Sequence, residues 1–346
     1  MLDIKQSSER FKNFAVLECK GSSDLYEFLS LKIAVDYELL KLSLHAQQGQ
    51  PVPNLLLGAV HYIMLKGIDH PLREFYPSLV KNPKKVEESF YYFKDFCMTN
   101  SKEIASILHN KRVQTNEVRR CSYLYPTFCY IYQKVSTPLS IIEIGTSAGL
   151  LLLWDNYSYS YGNQSIYGNK DSALHLKSKI REGEQPFLLP NSPPIHSRLG
   201  FDLNIIDLRN EEEYLWLKAL IWPEHKERLE IFETAAKQFR KDPPKLVEGD
   251  GVNLIKDYAE QVPINSTLCI FHTHVANQMP DHVKNDLLNK VKEIGTKRNV
   301  FHVYNNIWDR KLHLDYFMDG KEHNEVIGET DGHGRWFDWK LGWIVT

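Results

Sequence analysis

The chain carries no apolar run long enough to cross a bilayer, and its first residues, MLDIKQSSERFKNF, place no apolar stretch behind a basic start. Neither a membrane span nor a secretory leader is expected, and the cytoplasm is the expected location. Cysteine is scarce: five in 346 residues, an odd number without CxxC spacing, which excludes a disulfide framework and fits buried, reduced thiols. No HExxH and no Gly-Lys-Ser/Thr loop occurs, so neither a zincin nor a Walker site is expected. Charge is nearly balanced, 42 Lys and Arg against 44 Asp and Glu, and no basic cluster is interleaved with aromatics. Nucleic acid and membrane surfaces are therefore not expected as partners. There is no internal repeat and no low-complexity tract. With 42% hydrophobic and 25% charged residues, the chain is long enough for two domains and a sizeable core.

Residues 1–135 read as an all-helical N-terminal domain. The stretch 23–48 opens with Ser-Ser-Asp cap chemistry and continues with Leu25, Phe28, Leu29, Ile33, Tyr37, Leu40 and Leu44, mostly three or four residues apart. That predicts one long amphipathic helix, broken by Gly49 and Pro51. The same period returns at 54–66, 86–109 and 116–135. From Pro138 the texture changes. Residues 139–145 are a short, β-branched apolar run suited to a strand buried on both faces, and 197–203, 245–249, 267–272 and 299–304 resemble it. Helix-like stretches at 223–240 and 281–294 alternate with them. The alternation predicts an α/β fold, with a doubly wound sheet in a domain spanning 136–346. Residues 325–328 and 335–345, joined by an Asp-Gly-His-Gly turn, predict an antiparallel hairpin at the sheet edge. The aperiodic Tyr, Ser, Gly, Asn and Pro of 156–196 predict an insertion of loops.

The strongest local motif is EIGTSAGLLLL, residues 143–153, after the first strand. Gly145 permits a tight turn, Gly149 a close approach, and amides at the start of a following helix would face the strand end. That outlines a nucleotide pocket, although Ser147 stands where a middle glycine is usual, and a plain strand-to-helix turn remains an alternative. Asp202 and Leu203 end the second strand, and Asp250 and Gly251 follow the third. Either acid also suits a turn or a helix cap.

Taken in order, Glu-x-Gly-x-Ser-x-Gly, Gly-Phe-Asp, Glu-Gly-Asp and CIFHTHVANQMP resemble the core of class I S-adenosylmethionine-dependent methyltransferases. The resemblance implies a Rossmann-like methyltransferase-type sheet and S-adenosylmethionine as cofactor. It sets Gly145, Ser147 and Gly149 at the amino acid part of the cofactor, Asp202 at the ribose and Asp250 at the adenine, with Glu143, Thr146, Leu203 and Gly251 beside them. One departure is the 57 residues between Gly145 and Asp202, against about 20 in the usual fingerprint. Longer segments, among them 54–79, 112–121, 143–162, 200–208, 221–229, 242–250 and 333–339, resemble a bacterial family of uncharacterised proteins, domain of unknown function 2332. That likeness supports the unity of the chain and implies no activity.

In RVQTNEVRRC, residues 112–121, the polar residues Gln114, Thr115, Asn116, Glu117 and Arg120 read either as a capped helix start or as contacts to substrate or cofactor. Arg120 suits an acidic acceptor or the cofactor carboxylate, and His61 and Trp336 are further substrate candidates. His272 and His274 would share one face of a strand. Ala276 and Asn277 replace the usual continuation of metallo-hydrolases, so the histidines read better as a neutral base for an acceptor hydroxyl or amine than as metal ligands. The expected function is an S-adenosylmethionine-dependent methyltransferase acting on a small molecule. The alternatives are a non-catalytic S-adenosylmethionine or nucleoside binder and a metal-dependent hydrolase.

Overall fold

The computed structural model describes residues 3–114 and 116–342. In chain order the α-helices are α1 (Ile4–Phe14), α2 (Asp24–Ile33), α3 (Tyr37–Ser43), α4 (Val52–Leu65), α5 (Ser89–Thr99), α6 (Ser101–Asn110), α7 (Cys121–Val135), α8 (Glu211–Ala219), α9 (Lys226–Lys241), α10 (Gly251–Gln261) and α11 (Asp281–Gly295). The strands are β1 (Leu139–Ile144), β2 (Ser158–Ser160), β3 (Tyr167–Gly168), β4 (His175–Lys177), β5 (Lys179–Gly183), β6 (Ile195–Asp202), β7 (Lys245–Glu248), β8 (Thr267–His272), β9 (Val300–Tyr304), β10 (Leu312–Met318), β11 (Lys321–Gly328) and β12 (Trp336–Trp339). No helix among the described residues is long and apolar enough to cross a membrane. All five cysteines are free and buried.

The chain forms two compact units, one of Met1–Thr115 with Arg209–Glu230 and the other of Asn116–Leu208 with Ile231–Thr346. The division thus differs from a cut at 135: α7 belongs to the second unit, and a segment from the middle of the sheet region belongs to the first. In the helical unit α4 is buried almost throughout, and Leu56, Ile63, Phe11, Leu29 and Phe93 form the core together with Trp216 of α8. The Trp216 indole donates to Arg112 O at 2.8 Å, so the ring enters the core with its one polar atom satisfied. The long helix predicted for 23–48 is two helices. Asp36 adopts an extended backbone and its carboxylate accepts from Glu38 N and Leu39 N, which starts α3 afresh.

The second unit is built on a mixed seven-stranded sheet ordered β11-β10-β9-β8-β1-β6-β7. The five strands β7, β6, β1, β8 and β9 are parallel, and β10 and β11 are antiparallel additions at one edge. Strand β1, buried along its whole length, is central, and the chain order reverses on its two sides, between β6 and β8. In open α/β sheets that reversal opens a crevice at the carboxyl ends of the strands.

The predicted edge hairpin is corrected. The partner of 325–328 is β10, joined to β11 by Asp319-Gly320, both in the left-handed region. Two such residues are what a tight hairpin turn demands. Strand β12 pairs in parallel with β5, and it also runs antiparallel to the 327–331 stretch, through the Thr330–Phe337 bridge and the bonds from Asp331 N to Trp336 O, Asp338 N to Glu329 O and Lys340 N to Ile327 O. Residues 343–345 of the predicted strand lie outside the described residues.

The insertion at 156–196 is more ordered than a set of loops. Strands β3, β2 and β4 form a small sheet, and Tyr157, Tyr159 and Tyr161 are buried in it. Their hydroxyls donate to Leu150 O, Trp154 O and Ser122 O. The tyrosine-rich composition therefore serves packing, with each buried hydroxyl satisfying a backbone carbonyl.

Candidate functional site

The loop after β1 is held by the chain's own contacts. Gly145 and Gly149 have φ of 75° and 71°, and Ser147, with a side chain, is also left-handed at 52°. A Cβ on Gly145 would stand 2.5 Å from Val275 Cγ2, and one on Gly149 would stand 2.8 Å from Leu246 Cδ2. Both glycines are thus required by backbone conformation and by packing. The helix predicted to follow is a 3₁₀ segment, Leu150–Asn156, with Leu153 outside helical geometry. Its first amide is taken: Leu150 N donates to Asn116 Oδ1 at 2.9 Å while Asn116 Nδ2 donates to Thr146 O at 2.8 Å. Asn116, predicted to cap its own helix or to touch substrate, instead pins both ends of this loop.

Glu143, next to last in β1, is buried, and the Thr146 hydroxyl donates to it at 2.6 Å. Burial pushes its carboxyl well above the usual range, the Asp202 charge adds to the effect, and the Thr146 bond and Arg120 oppose it. Its expected contact with cofactor is replaced by this internal bond.

Asp202, at the end of β6, does come to the loop. Its Oδ2 accepts from Ser147 N at 2.7 Å and its Oδ1 from Asn204 N at 2.9 Å. Leu203 beside it is 69% exposed. Asp250 is different: it caps α10, with Oδ1 accepting from Val252 N and Oδ2 from Asn253 Nδ2. Gly251 is buried because a Cβ there would strike Phe201 and Ile144. Its role is helix-to-sheet packing.

The histidines after β8 do not share a strand face. His272 closes the strand, fully buried against the rings of His302 and Tyr304, whereas His274 has left the strand with φ of 63°. Burial drives the pKa of each down to about 3; at His274 the Arg120 and His333 charges add to burial and Asp331 opposes them. Both rings are therefore neutral at physiological pH. The His274 amide donates to Asn305 Oδ1 at 2.7 Å, and its Nε2 is buried with no partner among the described residues. Arg120 donates through Nε to Gly332 O at 3.0 Å and through Nη1 to Thr273 Oγ1 at 3.4 Å. Among the described residues, no group of three or more His, Cys, Asp or Glu is arranged to hold a metal ion.

The remaining candidates fall elsewhere. Both His61 ring nitrogens are used inside the helical unit, by Ala219 O at 2.9 Å and Ser78 Oγ at 2.8 Å, so the ring is a buried strut rather than a substrate contact. Gln114 also belongs to that unit. Thr115 lies outside the described residues. The Trp336 ring carries the Arg181 guanidinium 3.8 Å from its centroid, which covers the face expected to line a pocket. Glu117 is buried, and its Oε2 meets His333 Nδ1 at 3.0 Å.

The sequence reading passed over Thr273, Val275, Asn305, Asp331 and His333. Only the last two gave a signal, an Asp-Gly-His-Gly-Arg turn whose two glycines flank an imidazole. Comparison with curated proteins and with solved structures gives no match. A family model, described as "Uncharacterized protein conserved in bacteria (DUF2332)", matches residues 8–339, nearly the whole chain. The chain belongs to that family.

Proposed function

We propose that the second unit binds S-adenosylmethionine over the carboxyl ends of β1 and β6 and that the protein is a methyltransferase acting on a small-molecule acceptor. The observation that carries the reading is Asp202. It is a carboxylate at the end of the strand beside β1, on one side of the point where chain order reverses, and it is oriented by the Ser147 amide of the glycine loop. Such a carboxylate accepts hydrogen bonds from vicinal ribose hydroxyls. Ser147 Oγ, buried with no partner among the described residues, suits a further polar contact. S-adenosylmethionine would supply an electrophilic methyl group on a sulfonium. The chain's own part is to orient the ligand through Asp202 and Ser147, to hold the buried Glu143 beneath the loop, and to present the neutral His274 imidazole and the Arg120 guanidinium to an acceptor.

Calorimetry with S-adenosylmethionine, S-adenosylhomocysteine and NAD tests the reading. Both S-adenosyl compounds are expected to bind and raise the melting temperature. Asp202→Ala is expected to weaken that binding by about 1–3 kcal/mol. A response to NAD alone would give the pocket to dinucleotide chemistry.

A further inference from the structure

We propose that His333, held by the buried carboxylate of Glu117, is the proton-accepting catalytic residue of the second unit, and that it acts on an acceptor bearing a hydroxyl or amine. The proposal rests on the methyltransferase reading for the identity of the reaction, and on geometry of its own for the dyad.

His70–Asp95, His313–Asp309 and Glu117–His333 are histidine–carboxylate pairs, and their burial sorts them. In His70–Asp95 and His313–Asp309 the imidazole is the more buried partner, at 14% and 20% exposed, while the carboxylates are 57% and 44% exposed. Glu117–His333 is inverted: the carboxylate is 4% exposed and the imidazole 44%. Burying a carboxylate is costly, and a surface turn does not require it. A buried carboxylate under a solvent-facing imidazole is the arrangement that fixes the ring, keeps the proton on Nδ1 and leaves the Nε2 lone pair outward.

The turn carrying His333 is built to hold still. The Asp331 carboxylate accepts from His333 N at 3.2 Å, from Arg335 N at 3.0 Å and from the Arg335 guanidinium at 2.8 and 2.9 Å. Those bonds to Arg335 outweigh burial and hold Asp331 down to about 2. Arg120 Nε donates to Gly332 O, and Ser178 Oγ donates to Gly334 O at 2.8 Å. Gly334 is left-handed, and a Cβ there would stand 2.5 Å from Arg119 O. The turn is therefore pressed onto the 117–120 segment that supplies Glu117. The turn is thus held by Asp331, Arg120 and Ser178, and the Glu117 contact falls on the His333 ring.

In the proposed step an acceptor O–H or N–H gives its proton to His333 Nε2. The electron pair of that bond stays on the acceptor atom, and the imidazolium is stabilised by Glu117 across Nδ1–H. Glu117 is the positioning residue.

The test uses the full chain with nitrogen-15 labelled histidine, and diethyl pyrocarbonate as probe with peptide mapping. At pH above the histidine range the neutral His333 ring is expected to carry its proton on Nδ1, and Nε2 is expected to react faster with the probe than exposed His196. Glu117→Ala is expected to return the ring to the Nε2–H form usual in free imidazole and to slow its modification severalfold. Glu117→Gln, whose amide oxygen still accepts, is expected to restore the tautomer. A wild-type ring protonated on Nε2, or a tautomer indifferent to Glu117→Ala in a folded protein, overturns the proposal. His333→Asn is expected to leave S-adenosylhomocysteine binding unchanged. Failure of the wild type to bind that ligand would sink the methyltransferase reading while leaving the dyad measurements intact.

Discussion

Acidification from pH 6 to pH 5 is expected to remove about 3 kcal/mol of stability, a large share of the total. His61, His272 and His302 are fully buried and His274 partly so. Burial holds His61 down to about 4, His272 and His274 to about 3, and His302 well below its ordinary value. In the unfolded chain each returns to a pKa of about 6.5. A histidine kept neutral by folding contributes stability that is complete above the unfolded value and is lost as pH falls toward the folded one. Each accounts for about 1.4 kcal/mol per pH unit once the unfolded chain is protonated, with His274 discounted for its exposure. Four such groups weigh heavily against a total stability of about 5–15 kcal/mol. Glu143 works in the opposite sense, since its raised pKa favours the folded state below the ordinary carboxyl range and costs stability above it. Between its raised value and the ordinary carboxyl range it adds stability as pH falls, which offsets about one of the four histidines between pH 6 and pH 5. Circular dichroism against pH should show unfolding between about pH 4 and 5.5. His302→Phe, which keeps a ring beside Tyr304, should flatten the dependence by about one proton. A chain that stays folded at pH 4 with no proton uptake would contradict the assignment of these rings as buried and neutral.

Asn116→Ala is expected to cost about 2–4 kcal/mol, more than a surface asparagine deserves. Its side chain satisfies Thr146 O and Leu150 N, and both residues are fully buried, so truncation leaves a donor and an acceptor without partners. Asn116→Asp should fall between, because it keeps the acceptor for Leu150 N and turns an oxygen toward Thr146 O. Urea unfolding measures both, and calorimetry with S-adenosylhomocysteine should show affinity falling in the same order. A cost below about 0.5 kcal/mol would mean that the Ser147–Asp202 and Thr146–Glu143 bonds hold the loop without help.

The strands β1, β8 and β9, each buried along its whole length, were legible almost to the residue, because an unbroken apolar run between turn residues has few other outcomes. The break at Asp36 was harder to see, since the helical period runs on through Ile33 and Tyr37 and only the cap interrupts it. Two Asp-Gly turns competed for the edge hairpin. The one at 319–320 joins the pair, and the one at 331–332 leads to a strand that belongs with β5. In the site, the polarity of 114–120 and the acid at Asp202 could be read, but their partners could not. Asn116 acts on a loop thirty residues on, and Glu117 on a histidine 216 residues away, separations at which spacing carries no information. The reassignment of 209–230 was equally hidden, because α8 has the period of any crossover helix.

That reassignment has a consequence for biosynthesis. The ribosome delivers Arg209 roughly 5–20 seconds after Thr115 at the usual rates of elongation. Throughout that interval the nascent helical unit is without Trp216 in its core, and His61 is without the Ala219 carbonyl that its buried ring requires. The apolar surface of α4 meanwhile stays partly uncovered. Such a nascent chain is a natural client for holdase chaperones. For the same reason a stop codon anywhere between 116 and 208 should give an aggregating fragment, rather than a freestanding amino-terminal domain.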